Sequence, residues 1–428
     1  MSAFDRVIGY KDEKAELMRI CDVLKNPKKY KKLGVTIPRG ILLDGEPGIG
    51  KTMMAMSFIE ECGCKSFMLR KNNTDWRFIS EIKDVFAKAN KEDSAIVFLD
   101  DLDKFANEDE IHPNAPEYVT VQSCIDDSKD NNVFVIATTN GQRCLPVSLL
   151  RAGRIDKVIE MSAPRGKDAA RIIEYYISKK QVVGNIDIEE IARLVEGYTC
   201  AEMESTINEA GIYAAYEGRT RISRDDLIRA CMRLLFDAPE SIEVTEKSYF
   251  KKIAIHEAGH AVVSEILEPG SVSVVSVQCH NWFTGGITKF KKQEEIDVSK
   301  KLQENDIIRT LGGRAATAII LGEDDMGCQR DVDDAFYQVE RLVDTLSTCG
   351  FKYYLRGEPT ECRKSEMEKM VTSEMERYYK EAERIVAKYR VFVIMLANDL
   401  LKKKYLTYKD IKDLRMRYEK YNGLANAV

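Results

Sequence analysis

The segment Gly45-Glu46-Pro47-Gly48-Ile49-Gly50-Lys51-Thr52 constrains this chain more than any other stretch. It follows the apolar run Gly40-Ile-Leu-Leu-Asp and precedes Met53-Met-Ala-Met-Ser-Phe-Ile, which can open a helix. A glycine-rich turn between a strand and a helix is the phosphate-loop pattern. Its glycines let backbone N–H groups turn inward around phosphate oxygens, and the helix N-terminus adds a favourable dipole. The cradle is expected to run from Gly45 to Met53, with Lys51 reaching the β- and γ-phosphates and Thr52 ligating Mg²⁺. ATP with Mg²⁺ is the expected ligand.

Two more apolar runs, Ala95-Ile-Val-Phe-Leu and Val133-Phe-Val-Ile-Ala, are separated by helical stretches. Strands that are apolar on both faces and alternate with helices predict a parallel sheet covered on both sides. The first of these runs ends in Asp100-Asp101, where Asp100 is expected to coordinate Mg²⁺ and Asp101 to polarise the attacking water. The second leads to Asn140, placed to hold that water or the γ-phosphate. Further on, Arg151 and Arg154 lie close together in Leu149-Leu-Arg-Ala-Gly-Arg-Ile-Asp. An arginine offered across a subunit interface stabilises charge on a transferring phosphate.

The chain has only four histidines, and two of them stand in Ile255-His256-Glu257-Ala-Gly-His260-Ala. On a helix, residues four apart share a face, so both imidazoles can bind one Zn²⁺. Glu257 lies one step round, where it can take a proton from metal-bound water. Gly259 costs about 1 kcal/mol relative to Ala inside a helix, which points to close packing or room for a ligand. A catalytic zinc needs a third protein ligand and an open position. His280, Cys328 and the acids from Glu323 through Asp331, Asp333 and Asp334 are all candidates, and spacing does not choose among them.

Composition supports a folded, non-secreted chain. At 428 residues, about three domains are expected. Lys+Arg (65) and Asp+Glu (70) nearly cancel to a net charge of -5, which argues against a nucleic-acid partner. Eleven dispersed cysteines without an apolar N-terminal leader suggest free thiols in the cytoplasm. The longest apolar runs, such as Val391 to Ala397, fall short of the ~18–20 residues needed to cross a bilayer, so no integral membrane segment is expected. Texture changes divide the chain into 1–164, a nucleotide-binding α/β part; 165–240, helical, ending at the Asp237-Ala-Pro-Glu linker; and 241–428, mainly helical with a strand-like stretch over 272–290.

The order of these motifs resembles one family, the FtsH-type AAA+ zinc metalloproteases, along nearly the whole chain. Phe4-Asp-Arg-Val-Ile-Gly, Lys32-Leu-Gly and Ile37-Pro-Arg-Gly are similar to that family's approach to its phosphate loop, and Arg151 and Arg154 fall on its paired arginine fingers. Ala201-Glu-Met and Asn208-Glu-Ala are similar to its lid subdomain. Gly286-Ile-Thr matches an edge strand beside bound substrate, and Leu311-Gly-Gly-Arg314 opens the next family helix. Met326-Gly-Cys-Gln-Arg-Asp331 aligns with the stretch ending in the family's aspartate ligand, so the resemblance selects Asp331 to join His256 and His260.

The resemblance implies an AAA+ parallel-sheet domain with a helical lid, followed by a mainly helical zinc metallopeptidase domain. It implies a homo-hexamer that passes unfolded polypeptide substrates to its zinc sites. Asp101 stands where the family has Glu, one methylene longer, which suggests slower hydrolysis. Asn73-Thr-Asp-Trp76-Arg-Phe78 replaces the usual pore motif, leaving Trp76 or Phe78 to grip substrate or to pack on the large subdomain. The expected activity is ATP-dependent endopeptidase cleavage of soluble polypeptides. Two alternatives are a zinc peptidase whose weak ATPase is an assembly switch, and a non-proteolytic AAA+ remodeller.

Overall fold

Along each central strand of the first half, successive side chains enter different cores, and both cores are apolar. Ile41, Leu43, Ile96, Phe98, Phe134 and Ile136 share one with Phe4, Leu17, Met54 and Phe58. Leu42, Val97, Leu99, Val135 and Ala137 share the other with Ile82, Phe86, Tyr118 and Val121. This period-two division is what a sheet covered on both faces requires. In the computed structural model the strands are β1 (Gly40–Asp44), β2 (Lys65–Arg70), β3 (Ala95–Asp100), β4 (Val133–Thr139) and β5 (Lys157–Glu160). They form one sheet in the order β2-β3-β4-β1-β5, with every pairing parallel. The C-terminal ends of β1, β3 and β4 therefore open on the same side, and the nucleotide motifs lie there.

The described residues are 2–34, 36–71, 77–106, 115–129, 131–238, 247–278, 285–291, 299–323, 326–353 and 360–425. The chain divides into two compact units, Met1–Gln181 with Gly197–Asn208, and Val182–Glu196 with Glu209–Val428. The first contains the parallel sheet. Edge strands β2 and β5 were not apparent as apolar runs, because Lys65, Ser66, Arg70, Lys157 and Glu160 face solvent.

The second unit is built round helix Lys247–Leu267, whose buried side chains Ala254, Ile255, Ala258, Ala261, Val262 and Val263 belong to one continuous core. Helices Gly312–Leu321, Gln329–Val343, Glu361–Lys388 and Arg390–Lys403 contribute to that core, and so does a small sheet. The sheet consists of β6 (Val272–Ser276), β7 (Ile287–Phe290) and β8 (Tyr405–Thr407), antiparallel in the order β7-β6-β8. Among the described residues no helix is long and apolar enough to cross a membrane. The cysteines of the described residues are free thiols.

Gly259 serves close packing. A Cβ there would lie 2.3 Å from the Gly312 carbonyl oxygen and 2.6 Å from Ala316 Cβ, so two helices cross nearly backbone to backbone. Gly259→Ala gains about 1 kcal/mol of helix propensity but forces the crossing apart, at an overpacking cost of about 1–3 kcal/mol. The variant should melt below the wild type in a thermal scan; an unchanged midpoint would show that the crossing relaxes freely.

Of the two roles left open for Phe78, the structure shows packing. Phe78 is 4% exposed and packs edge-on against Phe105 with ring centroids 4.9 Å apart, so it fills the core beneath helix Arg77–Ala89. Trp76 lies outside the described residues.

Candidate functional site

The phosphate loop leaves β1 and turns into helix Lys51–Cys62 through glycines in the left-handed region, Gly48 at φ +83° and Gly50 at +100°. Ile49 between them is fully buried and anchors the turn, while Glu46, Pro47 and Thr52 are exposed. Met53, expected at the end of the cradle, is half exposed. Lys51 is buried, and its Nζ donates to the carbonyl oxygens of Gly45 (2.6 Å) and Glu46 (2.8 Å) and to Asn140 Oδ1 (2.9 Å). Burial lowers the Lys51 pKa, against the pull of Asp101, Asp103, Asp44 and Asp100.

The loop residues and strand ends meet. Thr52 Oγ1 donates to Asp100 Oδ1 (2.9 Å), and Thr138 Oγ1 donates to the same oxygen (2.9 Å) while accepting from the Asp101 N–H (2.8 Å). Asp103 accepts from the Asn140 backbone N–H (3.3 Å) and Nδ2 (3.0 Å), which turns Asn140 Oδ1 toward Lys51. Asp101 has φ +55° and its carboxylate pairs with Arg70 (3.2 Å) and Lys104 (3.3 Å). Arg70 also lies 3.8 Å from Asp100. Thr138, Asp103 and Arg70 carry no motif signal; each acts here because neighbouring strands end side by side.

The two downstream arginines differ. Arg154 is held within its own chain, with Nη2 2.7 Å from Asp126 and Nη1 donating to Gln122 Oε1 (3.0 Å) and the Ser148 carbonyl (2.6 Å). The Asp126 hydrogen bonds raise its pKa. Arg151 is exposed. The start of helix Cys200–Tyr216 also touches the loop, with Ala201 N–H donating to the Gly48 carbonyl at 3.1 Å.

In the second unit, His256 and His260 lie one turn apart on helix Lys247–Leu267, and Asp331 comes from the first turn of helix Gln329–Val343. Asp331 Oδ2 is 3.0 Å from His256 Nε2 and 3.2 Å from His260 Nε2, and the two Nε2 atoms are 3.0 Å apart. Among the described residues this is the group of three side chains able to hold a metal ion. Cys328 is buried nearby in sequence but stands outside that group, and His280 lies outside the described residues. Burial would push the Asp331 carboxyl up, but hydrogen bonds from His256 and His260 prevail and hold it well below the ordinary range.

The donor set fits Zn²⁺ on two observations. His260 Nδ1 lies 2.8 Å from the Arg309 carbonyl; donation to that acceptor leaves the Nε2 lone pair facing the cluster. A Cβ on Gly313 would lie 2.5 Å from His260 Nε2 and 2.6 Å from His256 Nε2, so the missing side chain keeps open the space in front of both nitrogens. Two imidazoles and a carboxylate leave a fourth position, as a catalytic zinc requires.

Glu257 is 7% exposed, and its Oε2 accepts from Thr288 Oγ1 on β7 at 2.7 Å. Burial pushes its carboxyl above the ordinary value, against His260, His256 and Thr288. A Cβ on Gly286 would lie 2.6 Å from Glu257 Cγ and Oε1, so the start of β7 runs close over the carboxylate. Arg309 was not foreseen at the site, while Thr288 and Gly313 entered only through the resemblance of Gly286-Ile-Thr and Leu311-Gly-Gly-Arg314 to family segments, without a role.

The regions that carry the two sites match models of known families. The model of the ATPase family associated with various cellular activities (AAA) matches residues 41–163, the AAA+ lid domain 185–229, and peptidase family M41 243–414. The chain is similar to ATP-dependent zinc metalloprotease FtsH of Caldicellulosiruptor bescii, at 28% identity over 96% of this chain and 71% of that protein. It is similar to FtsH of Lactococcus lactis at 29% identity (79% of this chain, 51% of that protein) and to FtsH 1 of Thermoanaerobacter sp. at 30% (79% and 58%). It thus spans between about half and seven-tenths of the length of these relatives. An ATPase core, an AAA+ lid and an M41 peptidase joined in that order is the FtsH arrangement, and this chain belongs to the FtsH-type family of AAA+ zinc metalloproteases.

Proposed function

We propose that the protein is an ATP-dependent zinc endopeptidase that degrades unfolded polypeptides as a homo-hexamer. The observation that carries this reading is the convergence of His256, His260 and Asp331 beside the buried carboxylate of Glu257, in a chain that also joins Lys51 and Thr52 to Asp100 and Asn140. His256, His260 and Asp331 would hold Zn²⁺, which when bound polarises the scissile carbonyl and acidifies a water. Glu257 would act as general base toward the attacking water and then as proton donor to the leaving amine, and Thr288 holds its carboxylate through Oε2. The Gly286 end of β7 lets substrate backbone approach, since an edge strand can accept an extended peptide as a further strand.

In the ATPase, Thr52 and Asp100 would hold Mg²⁺, and Lys51 would leave its loop carbonyls for the β- and γ-phosphates. Asn140, oriented by Asp103, and Asp101 handle the attacking water. Exposed Arg151 supplies charge to the neighbouring subunit's nucleotide, while Arg154, pinned by Asp126, shapes the loop that presents it. The three-part division at 1–164, 165–240 and 241–428 belongs to the same proposal.

Degradation of an unfolded protein such as casein tests it, with ATP, a non-hydrolysable analogue, no nucleotide, or a zinc chelator. Cleavage is expected with ATP alone, and no cleavage under any condition would end the proposal. Equal cleavage with ATP and the analogue would assign the nucleotide to assembly, an outcome favoured by the ion pairs that Arg70 and Lys104 make with Asp101.

A further inference from the structure

The small sheet β7-β6-β8 has different partners on its two faces. In one cross-strand row, Thr288 on β7 pairs with Val275 on β6, which pairs with Leu406 on β8. Val275 and Leu406 belong to the core round helix Lys247–Leu267, and Thr288 holds Glu257 of that helix. The adjacent row is Lys289, Val274 and Thr407. Successive strand residues point to opposite faces, so this row faces away from the helix that carries the zinc motif.

Both ends of that second row bind helix Ile188–Val195, which lies within the region matched by the lid model. At the β7 edge, Lys289 Nζ donates to the carbonyl oxygens of Leu194 (2.8 Å) and Glu196 (3.1 Å). These belong to the helix's C-terminal end, where carbonyls lack intrahelical partners and a cation is favoured. At the β8 edge, Thr407 Oγ1 donates to Glu190 Oε1 at 2.6 Å. Glu190 is 1% exposed and is also gripped by Arg224 through two bonds of 2.8 and 2.5 Å. A buried carboxylate is tolerated only when paired in this way.

We infer that Lys289 is a positioning residue for peptide cleavage: it ties the lid helix to β7, and through the neighbouring Thr288 it sets the placement of the Glu257 carboxylate. Lid and base are thus fastened to opposite faces of one short edge strand. A shift of the lid helix against the sheet moves Thr288 relative to Glu257 without touching any zinc ligand. This inference rests on the peptidase reading and adds to it a point at which the lid controls cleavage chemistry as well as substrate delivery.

The test is cleavage of a short fluorogenic peptide by the full, zinc-loaded chain at saturating ATP, comparing wild type with Lys289→Met, Lys289→Arg and Thr288→Val. Misplacing a catalytic group by about 1 Å costs up to about 100-fold in rate. Lys289→Met and Thr288→Val should therefore each lower kcat about 10- to 100-fold, with KM, zinc content and ATPase rate near wild type, and Lys289→Arg should recover most of the loss. A role confined to lid stability would instead lower the melting temperature and leave kcat of the folded fraction intact; that result, or an unchanged kcat in Lys289→Met, overturns the inference. Should Lys289→Met fail to fold, Thr407→Val loosens the other tie and is held to the same outcomes. A wild-type chain that cleaves no peptide would remove the peptidase reading itself.

Discussion

Glu257→Gln should abolish peptide cleavage while leaving the zinc site loaded. Glutamine is close in shape to glutamate and can still accept from Thr288, so the packing under Gly286 and the 2.7 Å contact are preserved. The amide cannot accept the proton of a metal-bound water, and losing a positioned base costs about 10²- to 10⁴-fold in rate. Zinc content, measured by metal analysis of the purified protein, should equal that of the wild type, because His256, His260 and Asp331 are untouched. ATPase activity should also persist, since no nucleotide-site residue changes. Cleavage by the variant at a wild-type rate would move proton transfer to another group.

Gly313→Ala should weaken metal binding by at least about 10- to 100-fold with a change of one methyl group. The new Cβ falls 2.5 Å from His260 Nε2 and 2.6 Å from His256 Cε1 and Nε2, well inside any real carbon contact. The His260 imidazole cannot step aside cheaply. His260 is tied through Nδ1 to the Arg309 carbonyl, and Gly313 sits on a helix whose neighbouring Gly312 is already in near contact with the Gly259 backbone. Disturbing a partner that orients a metal ligand costs about 10- to 100-fold in affinity, and a clash with two ligands at once should cost at least that. Competition against a chromophoric chelator measures it, and wild-type affinity would show that helix Gly312–Leu321 can withdraw.

How much of this was legible follows from where information sits along a chain. The phosphate loop and the zinc helix are local: one turn of backbone, or one turn of helix, brings their residues together, so spacing suffices. Strands β1, β3 and β4 were legible because burial on both faces demands unbroken apolar runs. Edge strands β2 and β5 were not, because one flank meets water and admits Lys65, Arg70, Lys157 and Glu160. The third metal ligand was open on spacing alone, because a carboxylate from another helix can come from any of several neighbours.

On sequence alone Phe78 is open between gripping substrate and packing on the large subdomain, and its burial against Phe105 gives it to the core. The missing membrane-length run carries over only as a statement about helices: among the described residues none is long and apolar enough to span a bilayer.

By itself, then, the sequence determined the reactive inventory, meaning which side chains can cradle phosphate, bind zinc and move a proton, because that chemistry is written in residue type and short spacing. Only the tertiary structure decided how the inventory is held in place. It set Asp103 behind Asn140, Arg70 and Lys104 on Asp101, Asp126 on Arg154, and Gly313 before the two imidazoles. It also fastened Thr288 to Glu257 and Lys289 to the lid helix from adjacent positions on one strand. These partners are distant in sequence and ordinary in type, and they meet only because strand register and helix crossings, set by burial across the whole chain, bring them within hydrogen-bonding reach.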